Sequence, residues 1–204
     1  MNGRRVLSVL LSMMLFSLGA SAQMVKASFG VTGGGIATLM NTEPKPSSAL
    51  YVNGYGGAFA TVNLGKVIGI RGGANLAQQG GDYTTETTDV KVHQSYMNIP
   101  ISLLLNVKSF MSFEFGFYQN ILMSSSYNER GSSKLTITPD EGALKYNVGA
   151  LAGLTFNFGR VVFLSMRYNR GLSKSYVIHG KGYTADTITA GLGFNILTTR
   201  KKAF

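Results

Sequence analysis

From Val25 onward, apolar and polar residues alternate with a period of two, which predicts β-strands rather than helices. Turn residues divide this pattern into eight predicted strands, at residues 25–39, 50–64, 67–79, 90–106, 110–123, 143–158, 161–172 and 186–197. In the predicted fifth strand, for example, Phe113, Phe115 and Phe117 lie on one face. Ser112 and Glu114 lie on the other. Each predicted strand therefore has one apolar and one polar face.

The joints between these strands alternate between short and long. The short joints are Gly65-Lys66, Lys108-Ser109 and Gly159-Arg160, and an asparagine precedes each of them, at Asn63, Asn106 and Asn157. A fourth asparagine, Asn195, begins a similar stretch near the end of the chain. The other joints are long and polar. In the longest joint, the alternating stretch KLTIT predicts that the hairpin extends above the membrane. Tight periplasmic turns and long external loops are typical of outer-membrane barrels.

The polar face distinguishes a membrane barrel from a soluble one. It carries mainly Asn, Ser, Thr, Gly and Tyr instead of the Lys and Glu of a soluble surface. This favours an apolar face toward lipid and a polar face toward a narrow lumen. Because a closed barrel satisfies every backbone group within the bilayer, the sequence predicts an all-β fold. That fold is an eight-stranded antiparallel up-and-down transmembrane β-barrel.

The first 22 residues have the pattern of a cleavable signal peptide. Arg4 and Arg5 form a basic start, residues 6–18 are mostly apolar, and a small-residue end follows at Ala20-Ser21-Ala22. The predicted domains are therefore a signal peptide at 1–22, cleaved after Ala22, and an outer-membrane barrel at 23–204. The alternative is an uncleaved membrane anchor, for which the apolar run is short. The predicted location is the bacterial outer membrane.

Composition and charge narrow the partners. Charged residues make up 14% of the chain, against about 25% in ordinary soluble domains. Without Arg4 and Arg5, 17 basic residues face 9 acidic ones. For an exported protein this surplus favours outer-membrane lipid and lipopolysaccharide as partners over nucleic acid. A simple scatter of cations over the loops is an equal alternative, and other envelope or secretion proteins stay open as partners. With no cysteine in the chain, neither a disulfide nor thiol chemistry is available.

One acidic residue, Glu114, is predicted to lie on the inward face of the central strand segments. Arg71 and Arg167 lie on the same face of the third and seventh predicted strands. One strand lies between each of these and the fifth. That separation is about 10 Å, which a long arginine can bridge across a narrow lumen. Because an unpaired buried carboxylate would be costly, the sequence predicts a structural ion cluster of Glu114, Arg71 and Arg167. The alternative is that the surplus arginine binds an incoming anion.

Catalytic and cofactor sites are not indicated. His93, at the end of the fourth strand, and His179, in the last long joint, are the two histidines. They could at most support a hydrolase site at the external rim, and with scattered carboxylates they form no metal-ligand pattern. The glycine-rich stretches at 32–35 and 53–57 precede no helix, so they do not indicate a nucleotide site. We predict no catalytic, cofactor or metal-binding residues.

Several stretches resemble the PorT-like, porin-family outer-membrane β-barrels. YMNIPISLLLNV (Tyr96 to Val107) resembles that family's Tyr-Leu-Glu-Ile-Pro-Leu-Leu-Leu-Lys segment, and FEFGFYQNILMSS (Phe113 to Ser125) its Gly-Pro-Tyr-x-Gly-x-Leu-x-Ser strand. LSMRYNRGLS (Leu164 to Ser173) and TAGLGFNI (Thr189 to Ile196) resemble its closing hairpin. One departure is Asn98, where the family often has Glu. The resemblance implies an eight-stranded barrel in a Gram-negative outer membrane, and its type member is an accessory of protein secretion.

The sequence thus predicts a structural, binding or secretion-accessory barrel that is neither an enzyme nor an open pore, since eight strands leave a lumen that side chains fill. Two alternatives stay open. One is a lipid- or glycolipid-modifying enzyme at the external rim. The other is a secreted soluble barrel that binds an apolar ligand.

Overall fold

The computed structural model describes residues 25–41, 51–84, 89–129, 135–136, 145–178 and 181–201. These residues form β1 (Val25–Asn41), β2 (Tyr51–Leu64), β3 (Ile68–Thr84), β4 (Asp89–Lys108), β5 (Met111–Glu129), β6 (Leu135–Thr136), β7 (Tyr146–Phe158), β8 (Val162–Gly171), β9 (Tyr176–Ile178) and β10 (Lys181–Lys201). Eight of them match the eight predicted strands, while β6 and β9 are short pieces within the long joints. The predicted signal peptide and its cleavage site lie outside the described residues.

The eight long strands form a closed antiparallel barrel. Each pairs with its neighbour in the order β1-β2-β3-β4-β5-β7-β8-β10. β10 pairs again with β1, from Val25↔Lys201 to Asn41↔Thr184, which closes the sheet. The predicted fold is confirmed. Among the described residues, no helix is long and apolar enough to cross a membrane.

The barrel has two distinct ends. The short-turn end carries the tight turns at residues 65–67, 109–110 and 159–161. Gly65 and Gly159 adopt φ angles of 75° and 78° there, a left-handed conformation that glycine reaches without steric penalty. The opposite, long-loop end carries the long joints. At that end β3, β5 and β10 run about five or six residues beyond their predicted limits. Their hairpins keep pairing as far as Thr84↔Asp89, Tyr127↔Leu135 and Lys181↔Ile178.

The two faces of the sheet are arranged as the alternation predicts. Phe117 and Ile101 are 69% and 64% exposed on the outer face, whereas Ser102 and Asn120 are 3% and 2% exposed on the inner face. An apolar exterior and a polar interior are what a lipid-spanning barrel requires. The alternative of a soluble barrel with an apolar ligand cavity does not agree with these faces.

The strand pairing is interrupted at two places that matter for the interior. Between β3 and β4, the register passes from Gly72↔Ile101 to Asn75↔Asn98. Pro100 lies in this interval and has no N–H to donate to the ladder. Between β2 and β3, pairing ends at Tyr55↔Ala77, although β1 and β2 remain paired up to Thr38↔Tyr51. The barrel wall is therefore less completely paired toward the long-loop end.

Candidate functional site

A charged cluster occupies the barrel interior, and its centre is the carboxylate of Glu114, which is 0% exposed. Oε2 accepts hydrogen bonds from Arg167 Nε at 3.0 Å and from Arg71 Nη1 at 3.4 Å. Oε1 accepts one from Ser102 Oγ at 2.6 Å. The structure thus brings together all three residues of the predicted ion cluster, with two cations around one anion. Charge-assisted bonds of this kind are the strong ones in a low-dielectric interior.

Arg71 is further fixed by the side chains around its guanidinium group. Its Nε donates to Thr61 Oγ1 at 3.1 Å. Its guanidinium carbon lies 5.3 Å from the ring centre of Phe59 and 4.9 Å from that of Phe163. The two rings meet edge to face at 5.2 Å, so the cation interacts with two aromatic faces as well as with Glu114.

The strand register explains how Arg167 reaches Glu114. Glu114 pairs with Gly153 on β7, and Gly153 pairs in turn with Arg167 on β8. The two charged residues therefore lie in one row with a single glycine between them. A Cβ on Gly153 would lie 2.8 Å from Arg167 Cγ, so the missing side chain provides the path along which the arginine crosses β7.

The same arrangement recurs elsewhere in the interior. Each of several large inward side chains lies against a glycine on a neighbouring strand, as Tyr118 does at Gly149 and Phe163 at Gly193. Alternation of large and small interior residues is how a narrow barrel is filled. Beyond Arg167, the interior cavity beside Tyr118 has a volume of about 20 Å³, which is room for about one water molecule.

A ladder of amides lies on the long-loop side of the cluster. Asn98 Nδ2 donates to Asn120 Oδ1 at 2.6 Å, and Asn120 Nδ2 donates to Asn147 Oδ1 at 3.0 Å. Asn98 is the position at which the resembling family often has Glu. In this chain it contributes a neutral amide to a ladder across β4, β5 and β7.

The repeated asparagines have equivalent places at the short-turn end. The backbone N–H groups of Asn106, Asn157 and Asn195 donate at 2.7 Å to the carbonyls of Val67, Phe110 and Val161. In each case the acceptor is the last residue before a neighbouring strand begins. The side chains of Asn63 and Asn106 are joined at 3.2 Å, and Ser112 Oγ donates to Asn106 Oδ1 at 2.7 Å. The repeat therefore marks one level around the barrel, where each hairpin is tied to the preceding one.

The rim histidine forms no His–Ser or His–Asp pair among the described residues. His93 is exposed, and its Nδ1 is hydrogen-bonded to the hydroxyl of Tyr51 rather than to a serine or aspartate. His179 lies outside the described residues. In the part of the chain that the structure describes, no group of three or more His, Cys, Asp or Glu residues could hold a metal ion. Both glycine-rich stretches lie within β1 and β2.

Sequence reasoning missed part of the interior. Leu104 and Phe163 are both 2% exposed and face inward, but each stands in an unbroken apolar run that obscures the alternation. Counting back in steps of two from Arg167 would have identified Phe163. The role of Gly153 could be found only from the register between strands.

These observations define a class of protein: a closed eight-stranded membrane barrel whose lumen is filled by charged and aromatic side chains. Residues 17–177 match the family described as outer membrane protein beta-barrel domain. The chain belongs to this family, and the protein is located in the bacterial outer membrane.

Solved structures show the same fold. Neisserial surface protein A has a TM-score of 0.56 at 16% sequence identity, covering 83% of this chain and 99% of its own. The attachment invasion locus protein Ail of Yersinia pestis, in complex with sucrose octasulfate, has a TM-score of 0.52 at 10% identity, covering 87% and 99%. At these identities the likeness concerns the fold alone. None of the curated protein sequences compared with the chain matches it.

Proposed function

We propose that the protein is a non-conducting outer-membrane barrel that serves as a structural, binding or secretion-accessory component and not as an enzyme. The observation that carries this proposal is the obstruction of the lumen by Glu114, Arg71 and Arg167. Their guanidinium and carboxylate groups meet within 3.4 Å. Phe59 and Phe163 pack against the same group, so a hydrated solute would have to displace a bonded ion cluster.

Two further points support a binding or accessory role. Ail was crystallised with a heparin analogue, which shows that a barrel of this fold can serve binding. The resemblance of this chain to PorT-like barrels supports a role in the envelope. We also propose that the protein belongs to the PorT-like group of this family. The partners that we propose are outer-membrane lipid, lipopolysaccharide and other envelope proteins.

Electrical recording tests the absence of a pore. The full mature protein in planar lipid bilayers should show no stable conductance steps. A variant that combines Glu114→Ala, Arg71→Ala and Arg167→Ala should pass ions, because it removes the obstruction. The control combines Ile101→Ala, Leu103→Ala and Phe117→Ala on the lipid face and should remain closed. Stable conductance steps in the wild-type protein would overturn the proposal.

The proposed orientation places the long-loop end outside the cell and the short-turn end in the periplasm. An epitope tag inserted after Gly131, in the longest joint, should bind antibody on intact cells. A matched tag in the turn at Lys108-Ser109 should react only after permeabilisation. Labelling in the opposite sense would reverse the orientation.

A rim enzyme is the second candidate, favoured by the hydrogen bond between Tyr51 and His93. A bonded imidazole at an exposed rim could act as a base toward a lipid headgroup. Deletion of the gene, or His93→Asn, should then change the mass spectrum of lipid A. We expect no change in either strain. A change in both would favour the enzyme.

A further inference from the structure

A large open cavity lies at the short-turn end of the barrel. Its volume is about 600 Å³, and it extends from the turn residues Lys66 and Arg160 inward to Thr61 and Arg71. The charged cluster therefore forms its inner limit. All four repeated asparagines line it, together with hydroxyls: Asn63, Asn106, Asn157, Asn195, Ser28, Thr61, Ser109 and Ser112. We call this cavity the vestibule.

The charge of the vestibule is of one sign. Five basic residues line it, and no acidic residue is among the described residues that do so; the five are Lys26, Lys66, Lys108, Arg160 and Arg71. The carboxylate bonded to Arg71, that of Glu114, is 0% exposed and is bonded to two arginines and a serine. It therefore offsets one of the two positive charges of the cluster and does not face the vestibule.

The cations come from separate parts of the chain. Lys66 and Arg160 lie in two of the short turns, and Lys108 is the last strand residue before the third. Each follows a repeated asparagine by two or three residues. Lys26 comes from the start of β1. The closed barrel therefore gathers them around a single opening. A low-dielectric wall around like charges concentrates the potential within the space and attracts counter-ions.

The wall also offers neutral donors below the cations. Asn106 Nδ2 donates one of its two N–H groups to Asn63 Oδ1, and Ser112 Oγ donates to Asn106 Oδ1. These bonds hold the Asn106 amide in place and leave its second N–H for a ligand. Asn195 Nδ2 donates to the carbonyl of Arg160 at 3.2 Å, which fixes that turn beside the opening. A rim of cations over amide and hydroxyl donors is chemically suited to phosphate oxygens, which accept several hydrogen bonds at once.

We infer that the vestibule binds a phosphate-bearing anion that enters from the short-turn side. The phosphate belongs either to a phospholipid headgroup of the adjacent leaflet or to a soluble phosphorylated molecule. This inference goes beyond the proposed function, since it would hold whether or not the barrel conducts. It also differs from the predicted alternative of anion capture by the cluster, because the three turn cations supply most of the charge.

Binding of inorganic pyrophosphate tests the site. The full mature protein, in nanodiscs of zwitterionic phosphatidylcholine at low salt, should bind pyrophosphate in calorimetry, and added salt should weaken the binding by screening. A variant combining Lys66→Gln, Lys108→Gln and Arg160→Gln should bind at least about tenfold more weakly. All three residues are exposed, so the substitutions leave the interior intact, and heat-modifiable gel mobility verifies the fold.

A matched control removes the same charge from the other end. Lys145→Gln, Arg170→Gln and Lys174→Gln change three exposed cations of the long-loop end, and binding should stay within about twofold of wild type. Repeating the titration in phosphatidylglycerol nanodiscs distinguishes the two sources. Loss of pyrophosphate binding there assigns the site to a lipid headgroup, and retained binding assigns it to a soluble phosphate. A headgroup too tightly held for exchange would appear as phosphatidylglycerol co-purifying with wild type but not with the turn variant.

Two results would overturn the inference. One is that neither pyrophosphate nor phosphatidylglycerol binds the wild-type protein. The other is that the turn variant and the long-loop control weaken binding equally, which would show a general effect of net charge. Because the electrical recording uses other residues and another readout, a failure here leaves the non-conducting proposal standing, and the converse also holds.

Discussion

The two halves of the barrel interior differ in how completely their polar groups are paired. Toward the short-turn end, Glu114, Arg71, Asn106 and Ser112 all have bonded partners. Toward the long-loop end, many buried polar atoms have no protein partner among the described residues: Thr38 Oγ1, Asn53 Nδ2, Tyr55 OH, Asn75 Oδ1, Gln94 Nε2, Ser125 Oγ and Asn147 Nδ2. In the short-turn half, Ser165 Oγ is the corresponding exception within the described chain.

The difference follows the pairing of the strands. The short turns bring consecutive strands together at one level, so the neighbouring asparagines and the ion cluster have fixed distances. Toward the long-loop end, β2 and β3 stop pairing at Tyr55↔Ala77, and the interior there is less tightly constrained. Since unpaired buried polar groups lower stability, we expect the short-turn half to carry most of the stability and the long-loop half to open first.

The largest effect should come from Glu114→Gln. The substitution leaves Arg71 and Arg167 buried without a counter-charge, and breaking a buried pair in this way costs about 3–5 kcal/mol. Urea unfolding of the protein in lipid vesicles, followed by gel mobility, would measure the change in the free energy of unfolding. A loss below about 1 kcal/mol would mean that water screens the cluster and that the short-turn half is not specially stabilised.

A second comparison concerns depth along the lipid-facing side of β5. Phe115→Arg near the middle of the membrane should cost about 2–4 kcal/mol. Gln119→Arg, on the same face but four residues nearer the long-loop end, should cost about 0–1 kcal/mol. Both side chains are exposed in the structure. Equal losses of unfolding free energy in the same vesicle assay would contradict the placement of Phe115 nearer than Gln119 to the middle of the membrane.

Much of the fold could be predicted from the sequence because a barrel strand is a repeating local pattern. Alternation identified which residues of β4 and β5 face lipid, and the short joints located the three tight turns. The ion cluster could be anticipated because Glu114 is an isolated carboxylate on an inward face. Alternation places Ser112 on the inward face, but it could not show that Ser112, which is 3% exposed, is bonded to Asn106.

What could not be predicted depends on relations between strands. The extra residue at Met123, where Ser95↔Ser124 is followed by Tyr96↔Leu122, reverses the alternation that follows, so that Ser124 is exposed and Ser125 is buried. The crossing of Arg167 over Gly153 requires the register of three strands. The end of pairing between β2 and β3 has no sequence signal that we could identify, because Gly54 and Gly56 are compatible with both paired and unpaired backbone.

Gly153→Ala tests whether the short-turn half depends on this close fit. A Cβ there would lie 2.7 Å from the backbone oxygen of Met166 and 2.8 Å from Arg167 Cγ. The backbone contact cannot be relieved by a rotamer change, so overpacking should cost about 1–3 kcal/mol. Gly35→Ala is the control, since its Cβ would have its nearest neighbour at 3.9 Å. If both variants unfold like wild type, Arg167 does not need the glycine path.

The smallest expected difference is between two asparagines, one in each half of the interior. Replacing each by alanine should lower the free energy of unfolding by a different amount. Asn106 donates to Asn63 and accepts from Ser112, so Asn106→Ala removes two bonds and should cost about 1–3 kcal/mol. Asn147 accepts one bond from Asn120, and its Nδ2 has no protein partner within the described residues. Asn147→Ala removes an unpaired donor together with one bond, and these changes largely offset each other, so it should cost less than about 1 kcal/mol. Unfolding free energies of the two variants in the same vesicles would decide the matter. An equal or larger loss for Asn147→Ala would show that the long-loop half is as tightly paired as the short-turn half.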